Sequence, residues 1–516
     1  MMTSSPEDSL SIASDTEQKA RAYSTVDSIA NSKNEGEHLI ATVKHANHIH
    51  RPKAWVAVFG GILTHLSIGS YFTFGNMNPY ITSYIRVYGE QTNLTYGTSV
   101  WIYTALIIGL AVAKVFGGYL GRKIGCRLTV LLGSVISSSG VALTYYTCHD
   151  VRLMVLTYGL MVGLGNGIIY INPILNAMKW LPNHKGLVSG IVVAGFGASS
   201  SIFTQVQTLY INPDNLVPNV KGEANDSCQE DELYFNDASL LQRAPGLYLM
   251  LGGIYLGLQL SGCLLLLTPP PEKEPAQEKS QDVESQRTSP KYQIDCTMLC
   301  FAWQLGEIPV TSHDSSTDAS GLFGRSLRPM EAMRTLIFPV LWLTFLFNGQ
   351  AVVYVINIYK TFGQTFIADD GFLAMVGTVS SLANMASRIF WGAVVDKYSY
   401  KSTNLILSSF CTVLLITFYF STSLGKVAYL LWVSALFFSI GGNYTLRPLV
   451  TATTFGPKYA GQIYGLLFSS QILGSIVATT VLSQHTCNIG YGGILALCGG
   501  LQFASVVLTL LYPASN

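Results

Sequence analysis

The sequence predicts an all-α membrane protein with about 12 transmembrane helices in two pseudo-symmetric six-helix bundles. Three observations lead there. Only 11% of the 516 residues are charged and 49% are hydrophobic, against roughly 25% charged in an average soluble domain. Twelve segments are long and apolar enough to cross a hydrocarbon core of roughly 30 Å, where backbone amides find partners only within their own helix. The ends of the second and eighth segments also repeat one pattern of glycine and charge.

The predicted spans of the first half cover 54–75, 98–120, 127–147, 153–175, 185–207 and 245–267. Those of the second half cover 335–358, 371–393, 402–421, 427–449, 460–482 and 491–512. The chain therefore divides into a tail (1–53), a first bundle (54–268), a linker (269–334), a second bundle (335–512) and a short end (513–516). The tail is polar and lacks the apolar core of a cleavable signal peptide, and Glu7, Asp8, Asp15 and Glu17 do not suit an amphipathic transit peptide. It is expected to be disordered and cytoplasmic. The linker, rich in Pro, Ser, Glu and Gln, is expected to be a disordered cytoplasmic tether.

Orientation follows from Lys and Arg in the short loops, because cationic loops stay on the cytoplasmic side. Arg51 and Lys53 precede span 1; Arg122, Lys123 and Arg127 follow span 2; Lys179 and Lys185 join spans 4 and 5; Lys397 and Lys401 follow span 8. The loop between spans 5 and 6 instead carries Asp214, Glu223, Asp226, Glu230, Asp231, Glu232 and Asp237 against Lys221 and Arg243, and is read as external or lumenal. Both termini are thus expected in the cytoplasm, at the plasma membrane or an internal organelle membrane. Two glycosylation sequons, at Asn93 and Asn225, fall on the opposite side, as do Cys148, Cys228 and Cys487. A net charge of +1 offers no field for nucleic acid. The nine cysteines lack zinc spacing, no Gly-Lys-Ser/Thr phosphate loop occurs, and no cofactor is expected.

The repeat is explicit. Span 2 ends Lys114-Val-Phe-Gly-Gly118-Tyr-Leu-Gly-Arg122-Lys123-Ile-Gly125-Cys-Arg127, and span 8 ends Arg388-Ile-Phe-Trp-Gly392-Ala-Val-Val-Asp396-Lys397-Tyr-Ser-Tyr-Lys401. The two align without a gap, with a cation four residues before a glycine and charges four residues after it. That is a parallel repeat of two six-helix halves. The glycines Gly118 and Gly392 allow close helix approach, and the charged turn can pair with a neighbouring helix end in one conformation. Arg122, Arg127, Asp396 and Lys397 are therefore gating candidates, with Lys123 and Lys401; loop anchoring is the alternative. Lys114 and Arg388 lie roughly 12 Å of helix rise inside those clusters, where a cation costs several kcal/mol without a partner or a wet cavity. Both are candidate anion ligands. Snorkelling or structural pairing is the alternative for Lys114, while the fork of Arg388 suits bidentate carboxylate binding.

The second copy resembles the major facilitator signature Gly-x-x-x-Asp-Arg-x-Gly-x-Arg/Lys, with Gly392, Asp396, Lys397 and Lys401 in register. The first copy matches at Gly118, Gly125 and Arg127 but has Arg122 where an acid is expected. Four further stretches resemble the oxalate/formate antiporter and monocarboxylate transporter branch of that superfamily, over nearly all of the chain after residue 54. They are Tyr71-Phe-Thr-Phe-Gly75-Asn76-Met-Asn78-Pro79-Tyr80; the Gly163 to Tyr170 run followed by Trp180-Leu-Pro182 and Gly186 to Gly197; Asn384-x-x-x-Arg388-x-x-x-Gly392; and Phe455-Gly456-Pro457-Lys458 with Tyr464 to Leu467.

The resemblance implies the major facilitator fold and a midplane anion site. In the oxalate pattern, cations on helices 8 and 11 clamp a dicarboxylate between aromatic side chains. Arg388 fills the first role, but the helix 11 position is Gln471, which offers hydrogen bonds without charge. One missing cation favours a single carboxylate, so the implied substrate is a small monocarboxylate of the pyruvate, lactate or formate type. If Lys114 joins the site, a dicarboxylate/formate exchanger is implied instead. Tyr71, Tyr170, Tyr354 and Trp432 are implied cavity aromatics, with packing as the alternative. His65 is a candidate proton relay or a hydrogen-bonded core histidine; Asn348, Gln350 and Asn357 are expected to face the interior. A non-transporting membrane sensor is the reading of another class; no enzyme is expected. The partners are then a small carboxylate anion, a proton or counter-anion, and membrane lipid, with symport, uniport and antiport all open and any accessory subunit unspecified.

Overall fold

The computed structural model describes residues 52–269 and 326–513, apart from 215, 217, 222–232, 365, 368 and 485. The predicted N-terminal tail, most of the linker, and Asn225 and Cys228 lie outside the described residues. In the first half the long helices are α1 (Pro52–Tyr88), α2 (Tyr96–Lys123), α3 (Cys126–Thr147), α4 (Val151–Trp180), α5 (Lys185–Ile211) and α6 (Arg243–Leu265). The second half supplies α7 (Ile337–Gln364), α8 (Asp370–Lys397), α9 (Tyr400–Thr417), α10 (Lys426–Phe455), α11 (Ala460–Phe468 continued by Ser470–Gln484) and α12 (Thr486–Leu510).

Eleven of the helices among the described residues are long and apolar enough to cross a membrane by composition alone. The other, α8, has 28 residues, enough length, but its polar side chains dilute its hydropathy. Ser380, Ser381, Asn384, Ser387 and Arg388 of α8 are all buried, so this polarity faces protein rather than lipid.

Several helices outrun their predicted spans, α1 and α10 among them. The first continues past residue 75 to Tyr88 through a tight 3-10 stretch, Gly69–Thr73. Its polar residues find partners beyond that point: the Asn76 amide donates to Thr208 Oγ1 and the Asn78 amide to the Tyr96 carbonyl. Helix α10 continues past 449 to Phe455, and in the added stretch the Thr451 and Thr453 hydroxyls donate to the Arg447 and Leu449 carbonyls, one turn earlier. Local caps fix other ends. Asp369 accepts from the Phe372 amide and receives Lys426 at 3.1 Å, which together hold its carboxyl below the usual carboxylate range.

Within each bundle the repeat is visible as equivalent ties. Arg127, at the start of α3, donates to the Leu266 and Leu264 carbonyls at the end of α6, and Lys401, at the start of α9, donates to Leu510 at the end of α12. Cations on terminal carbonyls match the helix dipole. Between bundles the principal contacts are α5 with α8 and α2 with α11.

Small residues set both seams. A Cβ added at Gly186 would lie 2.5 Å from the Gly392 carbonyl, and one at Gly461 would lie 2.9 Å from the Gly118 Cα. Gly190 and Gly465, four residues after Gly186 and Gly461, meet the α8 and α2 backbones in the same way. Each seam is thus a Gly-x-x-x-Gly ridge against a glycine-bearing helix. Gly186→Val is expected to cost about 1–3 kcal/mol by overpacking, seen as a lower thermal midpoint of detergent-solubilised protein. Gly257→Val, at an exposed position where a Cβ meets nothing within 4 Å, is expected to leave the midpoint unchanged.

Candidate anion site between the bundles

Three cations are buried where the bundles face each other: Lys114 on α2, Arg388 on α8 and Arg447 on α10, all at most 2% exposed. Lys114 lies nine residues before the end of α2, Arg388 nine before the end of α8, and Arg447 eight before the end of α10. At 1.5 Å per residue they form one layer, roughly 12–14 Å inside the cation-rich face.

Aromatic rings enclose this layer. The Lys114 ammonium sits 3.9 Å from the Tyr170 ring centre, 3.1 Å from Phe468 and 5.1 Å from Tyr464. The Arg388 guanidinium lies 5.0 Å from Phe196 and 5.4 Å from Tyr444, and that of Arg447 lies 5.2 Å from the same Tyr444 and 5.1 Å from Phe345. Tyr170 stacks with Tyr464 at 6.0 Å and meets Phe196 edge-on at 5.9 Å, so the three cations belong to one continuous cluster. Cation–π attraction offsets part of their desolvation, about 2 kcal/mol or more for a desolvated pair.

Their donors are not saturated. Arg388 Nε donates to Asn384 Oδ1, and Arg447 Nη2 donates to the Phe345 carbonyl. Lys114 Nζ, both terminal nitrogens of Arg388, and Nε and Nη1 of Arg447 have no hydrogen-bond partner among the described residues. No carboxylate of the spans can neutralise this layer, because the only acids in all twelve helices are Asp370 and Asp396, at the two ends of α8.

The other predicted residues distribute around the cluster. Tyr71 is buried against Phe196 at 5.3 Å, and His65 lies 5.3 Å from Tyr170 with Nδ1 on the Gly61 carbonyl. Gln471 donates at 2.7 Å to the Phe345 carbonyl, the acceptor that Arg447 also uses, so its amide forms part of the wall. Trp432 donates to Thr417 near the far end of α9 and lies outside the cluster; Tyr354 is buried without a described ring contact to it. Asn348 accepts from Gln502, while the Asn357 side chain and Cys487 lie outside what is described. Asn93 is exposed.

The gating candidates separate as well. Asp396 accepts the Gly186 and Leu187 amides, each at 2.7 Å, and so caps the first turn of α5 across the bundle interface. Arg122 has no carboxylate with which to make the equivalent bond; it stacks at 4.3 Å on Tyr459, which precedes α11. Arg127 ties α3 to α6 inside one bundle, and Lys397 lies 5.6 Å from the ring of its neighbour Tyr398. Beyond the cation layer the bundles meet again, through Thr104 with Thr479 at 2.7 Å and Ser200 with Ser381 at 3.4 Å. Inter-bundle contacts thus lie on both sides of the layer.

Sequence reasoning missed Arg447, Phe196, Tyr444, Tyr464 and Phe468 as site residues. Arg447 had a signal: an Arg-Pro pair with Gly441-Gly442 upstream in an apolar helix, the counterpart of Asn172-Pro173 in α4. Pro448 cannot donate to the carbonyl four residues before it, and that carbonyl belongs to Tyr444.

Two six-helix bundles meeting across a buried charged layer define a membrane transporter. The chain belongs to the Major Facilitator Superfamily, whose family model matches residues 61–479. Apicoplast pyruvate carrier 1 of Toxoplasma gondii is 26% identical over 87% of this chain and 87% of its own length. The oxalate:formate antiporter of Oxalobacter formigenes is 21% identical over 76% and 77%, and monocarboxylate transporter 14 of Mus musculus is 20% identical over 89% and 90%. Among solved structures, the proton:xylose symporter XylE superposes with a TM-score of 0.58 at 13% identity, covering 90% of this chain and 96% of that one. FucP, in its outward conformation, gives 0.55 at 14% identity over 88% and 98%. At such identity these structures share the fold alone.

Loss of the Asp396 cap is expected to weaken the α5–α8 seam by about 1.5–3 kcal/mol, the worth of hydrogen bonds to a charged group. Asp396→Ala should then raise the alkylation rate of a cysteine placed at buried Ser189 of α5 by about ten- to a hundredfold. An unchanged rate would show that the cap does not hold the seam.

Proposed function

We propose that the protein carries small organic carboxylate anions across its membrane by alternating access, and that its substrates are monocarboxylates of the pyruvate, lactate or formate type. One observation carries the reading: three buried cations with free donors share a layer that contains no protein carboxylate, so the counter-charge is supplied by what binds. The names of the relatives, a pyruvate carrier, an oxalate:formate antiporter and a monocarboxylate transporter, support the same chemistry.

In this reading the Arg388 fork takes the carboxylate, since its two terminal nitrogens are the free pair of a planar guanidinium. Lys114, from the other bundle, closes on the same anion, so one bound charge draws the halves together. Phe196, Tyr170 and Tyr444 provide an apolar enclosure suited to a methyl or hydrogen substituent beside the carboxylate. The bundles then rock about the bound anion, with Asp396 and the glycine seams closing the cation-rich end. The positive-inside bias supports a cytoplasmic position for that end and for both termini. The gradient of the substrate, a co-transported proton or a counter-anion supplies the work.

A sensor needing no passage would gain nothing from burying three uncompensated cations between two bundles. In proteoliposomes loaded with unlabelled substrate, uptake of labelled pyruvate is expected to be saturable and to fall at least tenfold in Arg388→Ala and Lys114→Ala. Absence of pyruvate, lactate and formate uptake by the wild type would overturn the monocarboxylate assignment; uptake unaffected by either substitution would overturn the site.

A further inference from the structure

We infer that Arg447 is a specificity-determining residue of the anion site, a second positive pole that accepts a second anionic group on the substrate. The inference rests on the carboxylate site proposed above and widens its ligands from monocarboxylates to short dicarboxylates.

Four observations converge on Arg447. It is 2% exposed, in the layer of Lys114 and Arg388. Its Nε and Nη1 are unpartnered, so two of its donor groups are unused by the fold. It shares the Tyr444 ring with Arg388, at 5.2 and 5.4 Å, which puts both guanidinium groups around one side chain. Finally, it shares the Phe345 carbonyl with Gln471: the uncharged amide of α11 donates at 2.7 Å and Arg447 Nη2 at 3.3 Å. Helix α11 therefore supplies a neutral wall at the place where α10 supplies the charge.

The arrangement has two ends. One is the Arg388 fork, oriented by Asn384 and faced by Phe196. The other is Arg447, between the Tyr444 and Phe345 rings. A monoanion on Arg388 leaves the second pole without a counter-charge, whereas a short dianion neutralises both. Because binding a second charge across the layer is a difference between ligands, Arg447 acts on the preference for two anionic groups over one. Gln471 alone cannot make that distinction, as its amide carries no charge and is held by backbone.

A test uses two acids with the same number of carbons, propionate with one carboxylate and malonate with two, as competitors of labelled pyruvate uptake by the full chain in proteoliposomes at pH 7.4. In the wild type malonate is expected to inhibit at lower concentration than propionate. Arg447→Gln is expected to lower the malonate preference, read as the ratio of the two half-inhibitory concentrations, at least tenfold, and Arg447→Lys to keep it within threefold. An unchanged ratio in Arg447→Gln, with both acids weakened alike or neither, would reduce Arg447 to a structural tie between α10 and α7 and overturn the inference. Thermal stabilisation of the purified protein by each acid reads the same ratio without transport. If wild-type uptake of pyruvate is absent yet malonate stabilises the wild type and not Arg447→Gln, the transport reading falls and the second pole stands. If malonate stabilises neither, the pole is overturned as well.

Discussion

Burying positive charge without a protein counter-charge is the constraint on which the rest of this structure depends. Even on scales that allow for snorkelling, one cation at a helix centre costs about 2.5–3.5 kcal/mol, and here three share a single layer. The surrounding side chains reduce that cost without removing it. Aromatic faces at Tyr170, Phe468, Phe196, Tyr444 and Phe345 present negative quadrupoles to the cations, and Asn384 and the Phe345 carbonyl accept one hydrogen bond each. The remainder is the uncompensated positive charge on which the proposed anion site rests.

The two-fold repeat determines where the charge is divided. Lys114 and Arg388 occupy equivalent places in α2 and α8, one in each bundle, so the buried charge is divided across the interface. Arg447 departs from the symmetry, because its counterpart in α4 is Asn172, which bonds back to Ile168 and across to Gly117. The bundle that keeps the neutral residue uses it to pack helices; the bundle that carries the arginine uses it to add charge. Meanwhile Arg127 and Lys401 fasten the third and sixth helix of their own bundles, which favours motion of each half as one body.

Much of this was legible in the sequence, and the exceptions have physical reasons. Composition and span length gave the helical membrane class, because lipid leaves the backbone few options. The glycine and charge repeat located Lys114, Arg388, Gly118 and Gly392, since buried cations and small residues stand out against an apolar background. Arg447 was missed because it lay near the end of its predicted span. The helix runs six residues further, to Phe455, which moves the arginine from the rim to the interior. Trp432 and Tyr354 were placed by helix membership alone, and membership says nothing about which face a ring occupies. Phe196 and Phe468 carried no signal, because an aromatic residue in an apolar helix looks the same whether it packs or encloses a ligand.

The two seams at the cation-rich face are built alike but fastened differently. On one, a carboxylate of α8 holds the first amides of α5, a bond made with backbone that water must otherwise satisfy. On the other, the arginine at the equivalent place in the first repeat lies over a tyrosine ring before α11. A mouth closed by one latched edge and one merely leaning edge does not open evenly. In the proposed cycle the α5–α8 edge has two charge-assisted bonds to break that the α2–α11 edge lacks, so the two edges part at different cost.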